Sequence, residues 1–104
     1  MPSDHKRIDF AGVNRAALAN VDRILSRWLP GGRVEGSEYV ARNPRRNDRR
    51  PGSFKINIET GKWGDFATGD RGGDLISLAA YLAGLSQVEA ALELADMLGV
   101  PFNE

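Results

Sequence analysis

Cysteine is absent from this 104-residue chain, and histidine occurs once, at His5. The first absence excludes disulfides and every thiolate metal site. The lone histidine sits in a terminal arm that nothing is expected to hold in place, so the common nucleophile–base pairs, which need a thiol or hydroxyl held against an imidazole, are unavailable. The acidic residues are spread over expected helix faces and turns, without the spacing of metal ligands. Long apolar runs are also missing. Nothing approaches the roughly 20 residues of a membrane-spanning helix, and no apolar segment follows the polar start Met1 to Arg7, as a signal peptide requires. The expectation is a cytoplasmic, non-enzymatic protein with no cofactor, no metal and no membrane partner.

What remains is ordinary for one globular domain: 41% hydrophobic and 27% charged residues. A net charge of zero hides a division. Met1 to Ile58 holds twelve Lys/Arg against six Asp/Glu, and Glu59 to Glu104 holds two against eight. A nucleic-acid partner would meet the first part.

A flexible arm is expected over residues 1–13 and a single domain over 14–104. Ala17, Leu18, Val21, Ile24, Leu25 and Trp28 share one helical face, so a helix is predicted from Asn14, its cap, to Leu29, stopped by Pro30-Gly31-Gly32. Val34, Tyr39 and Val40 suggest one or two short strands broken at Gly36. Phe54, Ile56 and Ile58 alternate with Lys55, Asn57 and Glu59, the pattern of a half-buried strand. A turn at Glu59-Thr60-Gly61 then returns the chain. A two-residue Thr-Gly loop would force Thr60 to positive φ, which a β-branched residue resists. A three-residue loop with Gly61 left-handed is predicted instead. That register pairs Ile56 with Gly64 and Phe54 with Phe66, burying Phe66 and leaving Trp63 on the open face beside Lys55 and Asn57. Two helices follow, capped by Asp74 and by the box Ser86-Gln-Val-Glu89, and closed by Gly84 and Gly99.

The most unusual segment is Arg42-Asn-Pro-Arg-Arg-Asn-Asp-Arg-Arg50, five arginines in nine residues. Guanidinium forks suit phosphate, so the loop can follow a nucleic-acid backbone. The competing reading is a solvated loop paired with the acidic half of the chain. Trp63 on the hairpin favours nucleic acid, since a base stacked there contributes about 1–3 kcal/mol; as a buried core tryptophan it would contribute nothing of the kind. The glycines of Thr68 to Asp74 more simply shape a turn than hold a phosphate, because Asp70 and Asp74 repel an anion. Leu82, Leu85 and Leu92 read as core, with a partner groove as the alternative.

The order of these features resembles the N-terminal zinc-binding domain, of the CHC2 type, found in bacterial and phage DNA primases. The residues that carry the likeness are Pro44, Pro51, Ser53-Phe54, Gly61, Phe66 and Gly72-Gly73-Asp74-Leu75-Ile76, within Gly36 to Val100. The four zinc-ligand places of the family fall on Asn43, Arg46, Asp65 and Thr68, none of them suited to tetrahedral zinc. The cysteine-less Lys62-Trp-Gly-Asp-Phe-Ala-Thr-Gly-Asp70 looks like versions in primase–helicase proteins of phages, plasmids and other mobile elements. Structural zinc is worth on the order of 10 kcal/mol, so its loss needs compensation. If the ligand places still converge, Arg46 and Asp65 should face each other and can form an ion pair.

The resemblance implies an α+β fold: a zinc-ribbon-like antiparallel sheet without zinc, one helix before it and two after it. It also implies an accessory role in DNA replication, binding single-stranded template for a separate catalytic domain. Arg42, Arg45, Arg46, Arg49, Arg50, Lys55 and Trp63 are the expected contact set. RNA on the same surface stays open, and so does docking to a primase, polymerase or helicase without DNA contact.

Overall fold

In the computed structural model, residues 7–46 and 52–104 are described. They form an α+β fold in the order α1 (Phe10–Ala19), α2 (Val21–Trp28), β1 (Arg33–Glu35), β2 (Glu38–Ala41), β3 (Phe54–Asn57), β4 (Trp63–Asp65), β5 (Arg71–Gly72), α3 (Leu75–Ala83) and α4 (Gln87–Leu98). The strands make one antiparallel sheet in sequence order, β1-β2-β3-β4-β5. Phe54, Ile56 and Trp63 on one sheet face meet a core that includes Leu75, Ile76 and Leu78 of α3 and Ala90, Ala91 and Leu94 of α4. Helix α1 packs on both α3 and α4. Among the described residues no single helix is long and apolar enough to cross a membrane.

The two C-terminal helices start and stop where their caps predict. Asp74 accepts from the Ser77 amide at 2.8 Å, and the Ser77 hydroxyl in turn accepts from the Asp74 amide. Ser86 and Glu89 close the second box, while Gly84 and Gly99 take the left-handed conformation. The N-terminal part requires two corrections. One helix becomes two, because the Asn20 side chain donates to the Ala16 carbonyl at 2.8 Å and the Asn20 backbone leaves helical geometry. Asparagine commonly competes with a helix in this way. The apolar period runs on across the break, so periodicity alone could not reveal it.

The expected boundary after residue 13 also moves. Asp9, not Asn14, caps α1, accepting from the Gly12 amide at 3.0 Å, and Val13 is fully buried. Asn14 instead accepts from the Ile76 amide at the start of α3. Ile8 bridges Asn103, and the Asp9 amide donates to the Phe102 carbonyl at 2.9 Å. His5 lies outside the described residues.

The hairpin carries the correction with the largest consequence. Phe54 pairs with Asp65, Lys55 with Gly64 and Ile56 with Trp63, one residue from the predicted register. Gly61 is left-handed as expected, at φ +82°, but the loop has four residues between Asn57 and Lys62, not three. Asn57 sets it: its side-chain oxygen accepts from the Glu59 amide at 2.8 Å and the Thr60 amide at 3.0 Å, an asparagine-capped turn. Because side chains alternate with period two, this slip exchanges the faces. Trp63 turns inward and is 7% exposed, while Phe66 turns outward and is 78% exposed. The Trp63 indole donates to the Ser77 hydroxyl at 2.9 Å and lies 4.7 Å from the Tyr81 ring centre. A Cβ at Gly72 would collide with that indole and that hydroxyl, so glycine is what lets β5 pass over Trp63.

Candidate nucleic-acid interface

Three of the four places assigned to zinc ligands meet through their side chains in a polar cluster. Asn43 follows β2 and Arg46 closes the turn after it, its amide donating to the Asn43 carbonyl at 3.0 Å. Asp65 ends β4, and the Thr68 amide donates to the Asp65 carbonyl at 3.2 Å. The two turns face each other across the sheet. Asp65 Oδ2 accepts from the Asn43 amide group at 2.8 Å and from Arg46 Nε at 3.1 Å, while its Oδ1 accepts from the Ala67 amide at 2.8 Å. Asn43 also donates to the Tyr81 hydroxyl at 2.8 Å, which donates to Asp70 at 2.7 Å. Thr68 joins only through its backbone; its hydroxyl accepts from the Asp70 amide.

The Asp65 carboxylate is fully buried and the Arg46 side chain 33% exposed. Burial alone would push the Asp65 carboxyl up. Hydrogen bonds from the Asn43 side chain, the Ala67 amide and the Ser53 hydroxyl, with the Arg46 charge, outweigh burial and hold it below the usual carboxylate range. A depressed folded-state pKa stabilises the fold above the unfolded-state value of 3.8. That stabilisation is lost as pH falls through the folded-state value. The melting temperature is therefore expected to drop below about pH 4, a drop that is smaller in Asp65→Asn; thermal melts at stepped pH check this.

The opposite face of the sheet presents a different chemistry. Strand pairing sets Arg33, Val40, Lys55, Gly64 and Arg71 in one row of directly opposed residues across all five strands. Strands lie about 4.8 Å apart, so the cationic positions 33 and 55, and 55 and 71, are about 10 Å apart. Gly64, without a side chain, floors a hollow of about 430 Å³ whose lining includes Lys55, Lys62, Phe66 and Arg71. The Lys55 ammonium stands 5.6 Å from the Phe66 ring centre, a cation–π contact. Acid is present too: Glu35 pairs with Arg33, and Glu38 and Asp70 line the hollow.

The expected contact residues therefore divide. Arg42 and Arg45 are exposed, and the Arg45 guanidinium lies 5.7 Å from the Tyr81 ring centre. Lys55 is on the open face. Arg46 is engaged by Asp65 and by the Ser53 hydroxyl at 3.2 Å, which leaves it poorly placed to bind phosphate. Arg49 and Arg50 lie outside the described residues. Trp63 is corrected: it is core, 7% exposed and held to α3 through the Ser77 hydroxyl. Phe66 and Arg71, missed in the sequence, stand on the face to which Trp63 had been assigned. The signal that would have found them is Asn57 two residues before Glu59, which marks the longer turn.

No family model matches the chain, and no curated relative does. Among solved structures it is similar to the crystal structure of the Aquifex aeolicus primase, comprising zinc-binding and RNA polymerase domains. The identity is 28% and the TM-score 0.74, over 92% of this chain and 23% of that one. The likeness is to the zinc-binding part and not to the catalytic part. The residues here do not fit zinc: the cluster offers no thiolate or imidazole, and the Arg46 guanidinium takes the carboxylate oxygen that a metal would need. In fold the chain, a zinc-ribbon-like α+β unit, is similar to part of that primase, and the match spans about a quarter of the primase chain.

Proposed function

We propose that this domain binds single-stranded nucleic acid, with template DNA in replication priming as its substrate, and that it acts as an accessory to a separate catalytic domain. The observation that carries this reading is the open sheet face, where Lys55, Lys62 and Arg71 line one hollow with an exposed Phe66. A basic face with an accessible aromatic ring is the combination that holds a single strand: cations neutralise phosphates and the ring stacks a base. Arg42, exposed just beyond β2, extends the cationic face. Arg45 stands beside Tyr81, and Arg49 and Arg50, outside the described residues, are proposed as contacts from the sequence alone. The likeness to a primase supports the replication setting. A domain from a phage, plasmid or other mobile element is the origin proposed for the cysteine-less variant, and the cytoplasm its place of action.

Fluorescence anisotropy of a labelled single strand, titrated at two salt concentrations, tests the reading. Affinity is expected to fall with salt, the logarithmic slope losing about 0.7 for each phosphate contact removed. Arg71→Ala should flatten the slope by about that amount. An RNA strand of the same sequence, used as competitor, decides between the sugars. Absence of binding at low salt would overturn the proposal.

A further inference from the structure

Away from the sheet's open face, the helices leave a second concavity. A groove of about 500 Å³ runs between α3 and α4, with Trp28 of α2 at one side. Leu82, Leu94 and Met97 are part of its apolar floor, and among the described residues its charged lining residues are Glu93 and Asp96. Met97 is exposed, and a flexible thioether adapts readily to an incoming apolar surface. The capping boxes fix α3 and α4 at their N-termini, so the walls are preformed.

We infer that this groove docks a basic amphipathic helix from a protein partner, with apolar anchors on the floor and Lys/Arg against Glu93 and Asp96. The charge pattern selects the occupant. Nucleic acid is repelled by two carboxylates. A second copy docked groove to groove about a two-fold axis would set Glu93 and Asp96 against themselves. A helix with apolar residues at i, i+3, i+4 and i+7 and a cationic flank meets both features of the groove. The groove does not include Lys55, Phe66 or Arg71, but Pro44 lines it and Arg45 stands beside Gly84 at its edge.

The test uses the full chain and a labelled 14-residue helical peptide of leucine and lysine with that spacing, followed by anisotropy. Two control peptides replace every lysine by glutamate, or every leucine by serine. Saturable binding is expected for the Leu/Lys peptide alone, and Glu93→Lys with Asp96→Lys should weaken it at least tenfold. Those side chains are exposed, so the double variant should melt as the parent does; Met97→Asp, also at an exposed position, should weaken binding by removing an anchor. Equal binding of all three peptides, no binding of any, or an unchanged affinity in the double variant would each overturn the inference.

Discussion

Asp65→Ala is expected to destabilise the domain by about 3–5 kcal/mol, since it removes several hydrogen bonds to a charged group at about 1.5–3 kcal/mol each. The carboxylate receives the Asn43 side chain, the Ala67 amide and Arg46. Its loss strands the buried Asn43 side chain inside, at about 1–3 kcal/mol for an unsatisfied buried group. The Ala67 amide, in an exposed residue, can turn to water. Arg46 is partly exposed and can turn to solvent, so the effects should be unequal. Arg46→Ala leaves the carboxylate with its amide donors and is expected to cost only about 1–2 kcal/mol. For a domain of this size each kcal/mol shifts the melting temperature by roughly 4–8 °C. Calorimetry or a circular-dichroism melt therefore separates the two variants by more than its error. A loss of under about 1 kcal/mol for Asp65→Ala would show that the cluster does not hold the two turns together. Packing of the helices would then carry all the compensation for a missing metal.

The second large effect concerns two aromatic residues three positions apart. Phe66→Ala is expected to weaken single-strand binding by about 1–3 kcal/mol, roughly fivefold to more than a hundredfold, the contribution of one stacked base. The ring is exposed, so stability should change by no more than about 0.5 kcal/mol. Trp63→Ala should do the reverse in kind: about 3–5 kcal/mol of stability is lost with the buried indole, and any loss of binding follows unfolding. Binding isotherms and melts on both variants decide the matter. Undiminished affinity in a folded Phe66→Ala protein would remove the stacking role and leave a purely electrostatic face.

Much of the fold was legible because its signals are local. Asp74 and Ser86 announce their helices, Gly84 and Gly99 end them, and the alternation from Phe54 to Asn57 is a strand in both sequence and structure. The likeness to primase zinc-binding domains brought Arg46 and Asp65 together before any coordinates did. What escaped was set by single side chains bonding to backbone. Asn20 breaks a helix whose apolar period continues unbroken. Asn57 lengthens a turn by one residue, and the slip moves Trp63 from the proposed binding face into the core and puts Phe66 in its place. Strand β5, only Arg71 and Gly72, is too short to carry an alternation, yet it completes the cationic row. Tyr81 carries no local signal; its bridging of Asn43 and Asp70 depends on contacts between residues 38 and 11 positions apart.

The pairing of the chain's two ends has a mechanical consequence. Arg7 and Glu104 are joined by a 2.9 Å backbone hydrogen bond, with Ile8 opposite Asn103 and Asp9 bonded to Phe102 next in line. The two segments run antiparallel, so tension drawn through both ends loads these bonds one after another, as a zipper opens, and never all together in shear. The sequence of rupture is then fixed: the Arg7–Glu104 bond first, Asp9–Phe102 next, and with Asp9 goes the cap of α1. Pulled in this way, the domain would yield at low force from its α1 edge while the sheet that carries Lys55, Phe66 and Arg71 stays assembled.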